Sequence, residues 1–151
     1  MTRYWVGVAS REHVKLGEQG GFCQLCHGKG APLSRMSPGD VLIYYSPREQ
    51  MRAGKTIQAF TAIGIVQEGD PYQVKMAEGF EPMRRDVAYL DAVDAPIRPM
   101  LKDLSFLQGL PSWGMAFRRG VLTIPFEDYN RIALAMQVSE SAPLMRQGVL
   151  F

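Results

Sequence analysis

Cysteine is scarce in this chain, with two residues, Cys23 and Cys26, among 151. A small secreted fold stapled by disulfides uses larger, even sets. Long apolar runs are missing too. The longest stretch without Asp, Glu, Lys or Arg is Leu104–Phe117, fourteen residues broken by Gly109, Pro111 and Gly114. A membrane-spanning helix takes about 20 apolar residues. The amino terminus, Met-Thr-Arg-Tyr-Trp-Val-Gly-Val, passes straight into a strand-like run. It shows no basic stretch, apolar segment and small-residue cleavage site of the kind that marks a secretory signal. A cytoplasmic, reducing location without a membrane partner is therefore expected. No G-x-S-x-G elbow and no G-x-x-x-x-G-K phosphate loop occurs, and repeats and low-complexity tracts are absent.

What is present is ordinary globular chemistry. Hydrophobic residues make up 46% and charged residues 21%, too apolar for disorder. The length predicts a single domain over residues 1–151, one that buries roughly 70% of its unfolded surface without a metal or disulfide staple. The net charge of +2 is unevenly spread. Residues 1–55 carry eight Lys/Arg against four Asp/Glu, residues 56–95 three against seven, and residues 96–151 six against four. Basic ends around an acidic middle can fold into one positive face, which points to an anionic partner such as nucleic acid.

Tyr4–Val8 is aromatic and β-branched and reads as a first strand. Ser10 can cap a helix over Arg11–Leu16 that Gly17 ends. A glycine-rich loop runs from Gly20 to Gly30, and Ser37-Pro38-Gly39-Asp40 is a tight turn. Val41–Ser46, nearly all apolar, is read as a central strand. Thr56–Gln67, bent at Gly64, together with Tyr72–Met76, Arg84–Leu90 and Gly120–Ile124, supplies further strands. Ile97–Leu107 has apolar residues at helical spacing, and Glu127–Gln137 is an amphipathic helix. Many strands with few helices predict an α+β fold around a small curved sheet or barrel.

Cys23-Gln24-Leu25-Cys26-His27 spells C-x-x-C-H, the attachment motif of c-type haem. With His13 it also offers four zinc ligands, but His27 abuts Cys26 and His13 has no paired ligand. A redox pair would need a βαβ pattern, which is not evident in the sequence. Both thiols are read as small buried apolar residues. No catalytic set, cofactor or metal is predicted.

Aromatic residues gather where strands meet loops: Trp5, Phe22, Tyr44, Tyr45, Trp113 and Phe117. Tyr44 and Tyr45 must lie on opposite faces of their strand. Ser10, Gln24, His27, Ser46 and Arg118 lie beside these rings in sequence. Flat rings with a few amides, hydroxyls and imidazoles suit an extruded nucleobase, which needs faces to stack on and partners for its Watson–Crick edge. Arg3, Arg11, Lys29, Arg35, Arg118 and Arg119 are available for flanking phosphates.

The runs Tyr4–Ser10, Gly21–Lys29, Pro32–Asp40 leading into Tyr44-Tyr45-Ser46-Pro47, and Trp113–Gly120 resemble bacterial EVE-domain proteins. The resemblance extends from about Tyr4 to about Ala135. It implies a PUA-like fold, a curved and mostly antiparallel sheet closing into a small barrel with flanking helices. It implies a non-enzymatic reader that accommodates a flipped, modified base, as the related YTH domains do. Examples of such a base are 5-methylcytosine and 5-hydroxymethylcytosine in DNA. Carried onto this chain, the base pocket would comprise Trp5, Ser10, Phe22, Gln24, His27, Tyr45, Ser46, Trp113, Phe117 and Arg118. Arg11, Lys29, Arg35 and Arg119 would hold phosphates. Two other readings stand beside this one: an RNA-binding PUA-like module, and an enzyme using Cys26 with His27 or His13. A monomer or weak homodimer is expected, with the apolar tail (Leu144, Met145, Val149, Leu150, Phe151) available to a partner subunit.

Overall fold

A computed structural model describes residues 1–138. The tail residues expected to meet a partner subunit lie outside this range. The elements in chain order are β1 (Tyr4–Val8), α1 (Arg11–Gly20), β2 (Phe22–Cys23), α2 (Ala31–Ser34), β3 (Val41–Gln50) and β4 (Ala53–Val66). They continue as β5 (Tyr72–Gln73), β6 (Met83–Tyr89), β7 (Ala95–Pro96), β8 (Val121–Ile124) and α3 (Phe126–Ala135). The sheet order is β2-β6-β4-β3-β1-β8, with β5 on the edge of β6 and β7 beside β4. This mixed sheet curls into a half-barrel.

The first six residues of β3 are fully buried because it is the central strand, flanked by β1 and β4. Alternation sends Val41, Ile43 and Tyr45 into one core with Phe60, Phe117, Tyr129 and Ile132 of α3. Leu42 and Tyr44 go into a second core on the other face, with Trp5, Val14 of α1 and Leu25. A β-bulge sharpens the curl: Tyr44 opposes Ala62 but Tyr45 opposes Phe60, leaving Thr61 as the extra residue. The bend in β4 thus falls at Thr61, three residues before Gly64.

Among the described residues, one strand pairing is parallel. Val6 lies opposite Ile43, and β1 and β3 run in the same direction. Parallel neighbours need a crossover connection of a dozen residues or more, and residues 9–40, with α1, provide it. The βαβ arrangement that looked absent from the sequence is therefore there.

α1 runs to Gly20, past the expected stop at Gly17. A Cβ on Gly17 would sit 2.6 Å from the carbonyl oxygen of Phe22, so this glycine permits close packing. The helix ends at Gly21, whose φ of 71° places it in the left-handed region and whose N–H donates to Gly17 O at 2.7 Å. The helix expected over Ile97–Leu107 is two short 3₁₀ turns, Arg98–Met100 and Ser105–Leu107. Pro99 has no N–H to give a helix. Asp128 of α3 takes the Ser105 and Phe106 amides at 2.9 and 3.0 Å, starting the second turn afresh.

Candidate nucleic-acid interface

The carboxyl ends of β1 and β3 open onto a cleft of about 600 Å³, within the usual range for ligand sites. Ligands in parallel sheets tend to bind outside the carboxyl ends of strands, where the chain enters a helix amino terminus. Here the chain leaves β1 through Val8 and Ala9 and enters α1 at Ser10, whose Oγ accepts from His13 N at 3.3 Å. Two hairpins flank the cleft. One joins β3 to β4 and contributes Arg48, Gln50, Met51 and Arg52; the other joins β5 to β6 and contributes Met76 and Phe80. The segment Phe117–Gly120 supplies the remaining wall.

The charge of this lining is one-sided. Lys29, Arg48, Arg52, Arg118 and Arg119 face the cleft, together with His13 and His27, and among the described residues no Asp or Glu does. The chain as a whole carries only +2. The carboxylates of the described residues therefore lie outside this lining. Glu12, the nearest in sequence to the capping Ser10, is engaged outside the lining with Gln50 Nε2 at 3.0 Å.

Gln24 is the most constrained polar group in the wall. Its backbone is clamped by the buried Tyr44 hydroxyl, which accepts from Gln24 N at 3.2 Å and donates to Gln24 O at 2.9 Å. Its side-chain Oε1 accepts from Arg84 Nε at 2.6 Å. Arg84 in turn lies over the Phe22 ring at 3.8 Å. The amide is thereby oriented, with Nε2 left as the donor end, and Gln24 is only 5% exposed. His13 Nε2 donates to the Gln24 carbonyl at 3.1 Å. Its proton therefore sits on Nε2, and Nδ1 is the acceptor.

Burial pulls the His13 pKa below its ordinary 6.5, with the nearby Arg84 charge adding to the fall and the Gln24 carbonyl opposing it. Below 6.5 the unfolded chain takes up a proton that the folded chain resists, so acidification destabilises the fold through this residue. The melting temperature should fall between about pH 7 and pH 5.5, and His13→Gln should flatten part of that fall. Thermal melts across this range check it, and parallel curves for the two proteins would refute it.

The next stretch of wall is conformationally strained. Cys26, His27 and Gly28 all have positive φ, at 49°, 59° and 86°. For the two non-glycine residues this costs about 1–3 kcal/mol each. Packing holds them in place: Gly28 N donates to Leu25 O at 3.0 Å, and the Cys26 thiol meets Arg119 O at 3.5 Å. Cys23 is fully buried, and burial pushes its thiol up to about 12, as suits a small apolar residue. Cys26 is half-buried on the cleft wall, which departs from the expectation for both thiols. Among the described residues, no group of three or more His, Cys, Asp or Glu could hold a metal ion.

Of the residues expected at a base, Ser10, Gln24, His27, Phe117 and Arg118 line the cleft, as do Lys29 and Arg119 from the phosphate set. The others lie elsewhere. Trp5 is 5% exposed in the second core, with its Nε1 donating to Asp40 Oδ2 at 2.9 Å. Tyr45 is buried behind Phe117, stacked on it at 4.2 Å and 8°. Ser46 is buried and shares a 2.7 Å hydrogen bond with Thr61. Phe22 is buried beneath Arg84. Trp113 is half-buried, edge-on to Tyr45 and Phe117. Arg11 pairs with Asp94, and the carbonyl of Arg35 accepts from the Arg3 guanidinium. Most of the expected cage rings are thus consumed by the cores and by the support of Gln24. The sequence reading missed Arg48, Met51, Arg52, Met76 and Phe80. The spacing of Arg48, Arg52 and Lys55 around a turn between two strands was the available signal.

A curled mixed sheet forming a half-barrel with three helices is a PUA-like fold, and in this chain the parallel pair of β1 and β3 opens onto the cationic cleft. Solved structures of this class overlay the chain at low identity. A protein of Agrobacterium tumefaciens matches with a TM-score of 0.59 and 16% identity, covering 94% of this chain and 97% of that one. The YTH domain of Zygosaccharomyces rouxii MRB1, solved with N6-methyladenosine RNA, matches at 0.61 and 14%, covering 93% and 88%. The Mmi1 YTH domain in complex with RNA matches at 0.60 and 8%, covering 90% and 78%. The chain belongs to the EVE domain family, whose model matches residues 3–135. Curated relatives are UPF0310 proteins. One from Mesorhizobium japonicum is 47% identical over 90% of this chain and 93% of its own length. YdcG of Bacillus subtilis is 46% identical over 93% and 96%.

Proposed function

We propose that the protein is a non-enzymatic nucleic-acid reader that holds one extruded, modified base in the cleft between α1 and the two hairpins. The observation that carries this reading is the lining: among the described residues, five Lys/Arg and no carboxylate, together with apolar Val8, Ala9, Pro47 and Phe117. Such a site suits a ligand that is anionic on one side and flat and apolar on the other, and a nucleotide is both. The oriented Gln24 Nε2 donor and the His13 Nδ1 acceptor supply the two polarities a base edge needs. Cytosine and adenine each present an amino donor beside a ring-nitrogen acceptor, the complement of that pair. We favour 5-methylcytosine or 5-hydroxymethylcytosine in DNA, in keeping with the resemblance of the sequence motifs. RNA is the second reading, favoured by the YTH domains of the same fold solved with RNA and with N6-methyladenosine RNA.

Fluorescence anisotropy at fixed low salt tests both. The ligands are one oligonucleotide sequence with cytosine, 5-methylcytosine, 5-hydroxymethylcytosine or N6-methyladenine, single- and double-stranded, and the RNA counterpart with N6-methyladenosine. A buried methyl group contributes about 1 kcal/mol, so a roughly fivefold preference for one modification is expected. Gln24→Leu should reduce that preference. A preference confined to RNA would favour the second reading, and equal affinity for all would overturn recognition of a modification.

A further inference from the structure

The β3–β4 hairpin has features that the reader assignment alone does not require. The last four residues of β3 leave the buried sheet, and residues 48–56 pair only with each other. At the tip, Met51 is 66% exposed, although it lines the cleft. Arg48, Arg52 and Lys55 belong to the same hairpin, whose one carboxylate of its own is Glu49. Arg52 has a φ of 62°, in the left-handed region where glycine is the favoured residue. A long cationic side chain thus stands at a position whose backbone disfavours it. The arm is also held in place. Arg48 Nη2 donates to Gly54 O at 2.8 Å across its base, and Gln50 Nε2 donates to Glu12 Oε2 of α1 at 3.0 Å.

We propose that Met51 is a wedge that enters the base stack of a duplex beside the extruded base, while Arg48 and Arg52 hold the phosphates on either side. The proposal rests on the reader assignment and gives this arm its own task. Duplex-deforming proteins use apolar side chains, methionine among them, to fill such gaps, with cations on the adjoining backbone. Charge selects this arm over the one opposite. Phe80 is also exposed, at 40%, but it sits between Glu78 and Glu81, and Lys75 is already paired with Glu78 at 2.8 Å. That arm would repel the backbone which the Met51 arm attracts.

The test compares Met51→Ala and Leu134→Ala with the wild type on a short DNA carrying one central 5-methylcytosine, as a single strand and as a duplex. A single strand has no stack to hold open. Met51→Ala should weaken duplex binding by about tenfold and leave the single strand within about twofold. Leu134→Ala removes an exposed apolar side chain that does not line the cleft and should change neither by more than about twofold. With 2-aminopurine next to the modified base, the wild type should raise fluorescence on binding the duplex, and Met51→Ala should raise it less. Equal losses on both strand types, no loss on the duplex, or an equal fluorescence rise would overturn the wedge while leaving the reader intact. Failure of the wild type to bind either ligand would overturn the DNA reading, and the wedge with it.

Discussion

Asp40→Ala is expected to destabilise the protein by about 3–5 kcal/mol, lowering the melting temperature by roughly 10 °C in a domain of this size. Asp40 is 1% exposed. Its carboxylate accepts from Arg3 N at 3.0 Å, Trp5 Nε1 at 2.9 Å and Ser37 N at 3.0 Å. One side chain thus ties the start of β1, the indole of Trp5 and the turn before β3. Truncation leaves several donors without an acceptor, at about 1–3 kcal/mol for each one that stays buried. Asp40→Asn keeps one oxygen, on which Trp5 Nε1 and Ser37 N converge, and should fall between wild type and alanine. Urea unfolding checks the series; a loss below about 1 kcal/mol for Asp40→Ala would refute the network. The folded fraction of Asp40→Ala should bind oligonucleotide as the wild type does, because neither Asp40 nor Trp5 lines the cleft. A tryptophan serving as a cage wall would give the opposite result.

That contrast marks what was legible in the sequence. β1, the turn at Ser37–Asp40, the central placement of β3 and the amphipathic α3 follow from local pattern, and the structure has them. The cap at Ser10 and the opposite faces of Tyr44 and Tyr45 follow from local rules as well. The fate of Trp5 was not legible, because the group that takes its Nε1–H lies 35 residues away. A tryptophan on a strand looks the same whether a core or a ligand receives it. The break in Ile97–Leu107 was hidden for the same reason, since the captured amides meet a carboxylate more than 20 residues later. The parallel pairing of β1 and β3 is a choice of partner that no local spacing encodes. The cleft was legible by half. Gln24, His27, Lys29, Arg118 and Arg119 sit in the two motifs that converge there. The arm with Met51 reads in sequence as an ordinary solvated turn, and only the folded sheet brings it to the same opening.

Replacing Arg118 and Arg119 together by glutamine should weaken binding of every oligonucleotide by about ten- to a hundredfold at low salt. Both side chains are exposed and both line the cleft. Neither has a carboxylate partner among the described residues, so their charge is available to phosphate. Phosphate contacts release condensed counterions, and each contributes about 0.9 to the slope of log K against log salt on duplex DNA and about 0.7 on single strands. The double variant should therefore lower that slope by about 1.4–1.8 while preserving the ratio of affinities for modified and unmodified bases. Lys102→Gln removes an exposed cation that does not line the cleft and should leave the slope unchanged. An equal drop in both proteins would mean that binding follows overall charge alone. A drop confined to the Arg118/Arg119 variant places the backbone along this edge of the cleft. The strand would then run past Arg119, whose carbonyl meets the thiol of Cys26. That path brings its bases to the strained Cys26–Gly28 turn and the fixed amide of Gln24, the two features of the wall least free to adapt to a wrong ligand.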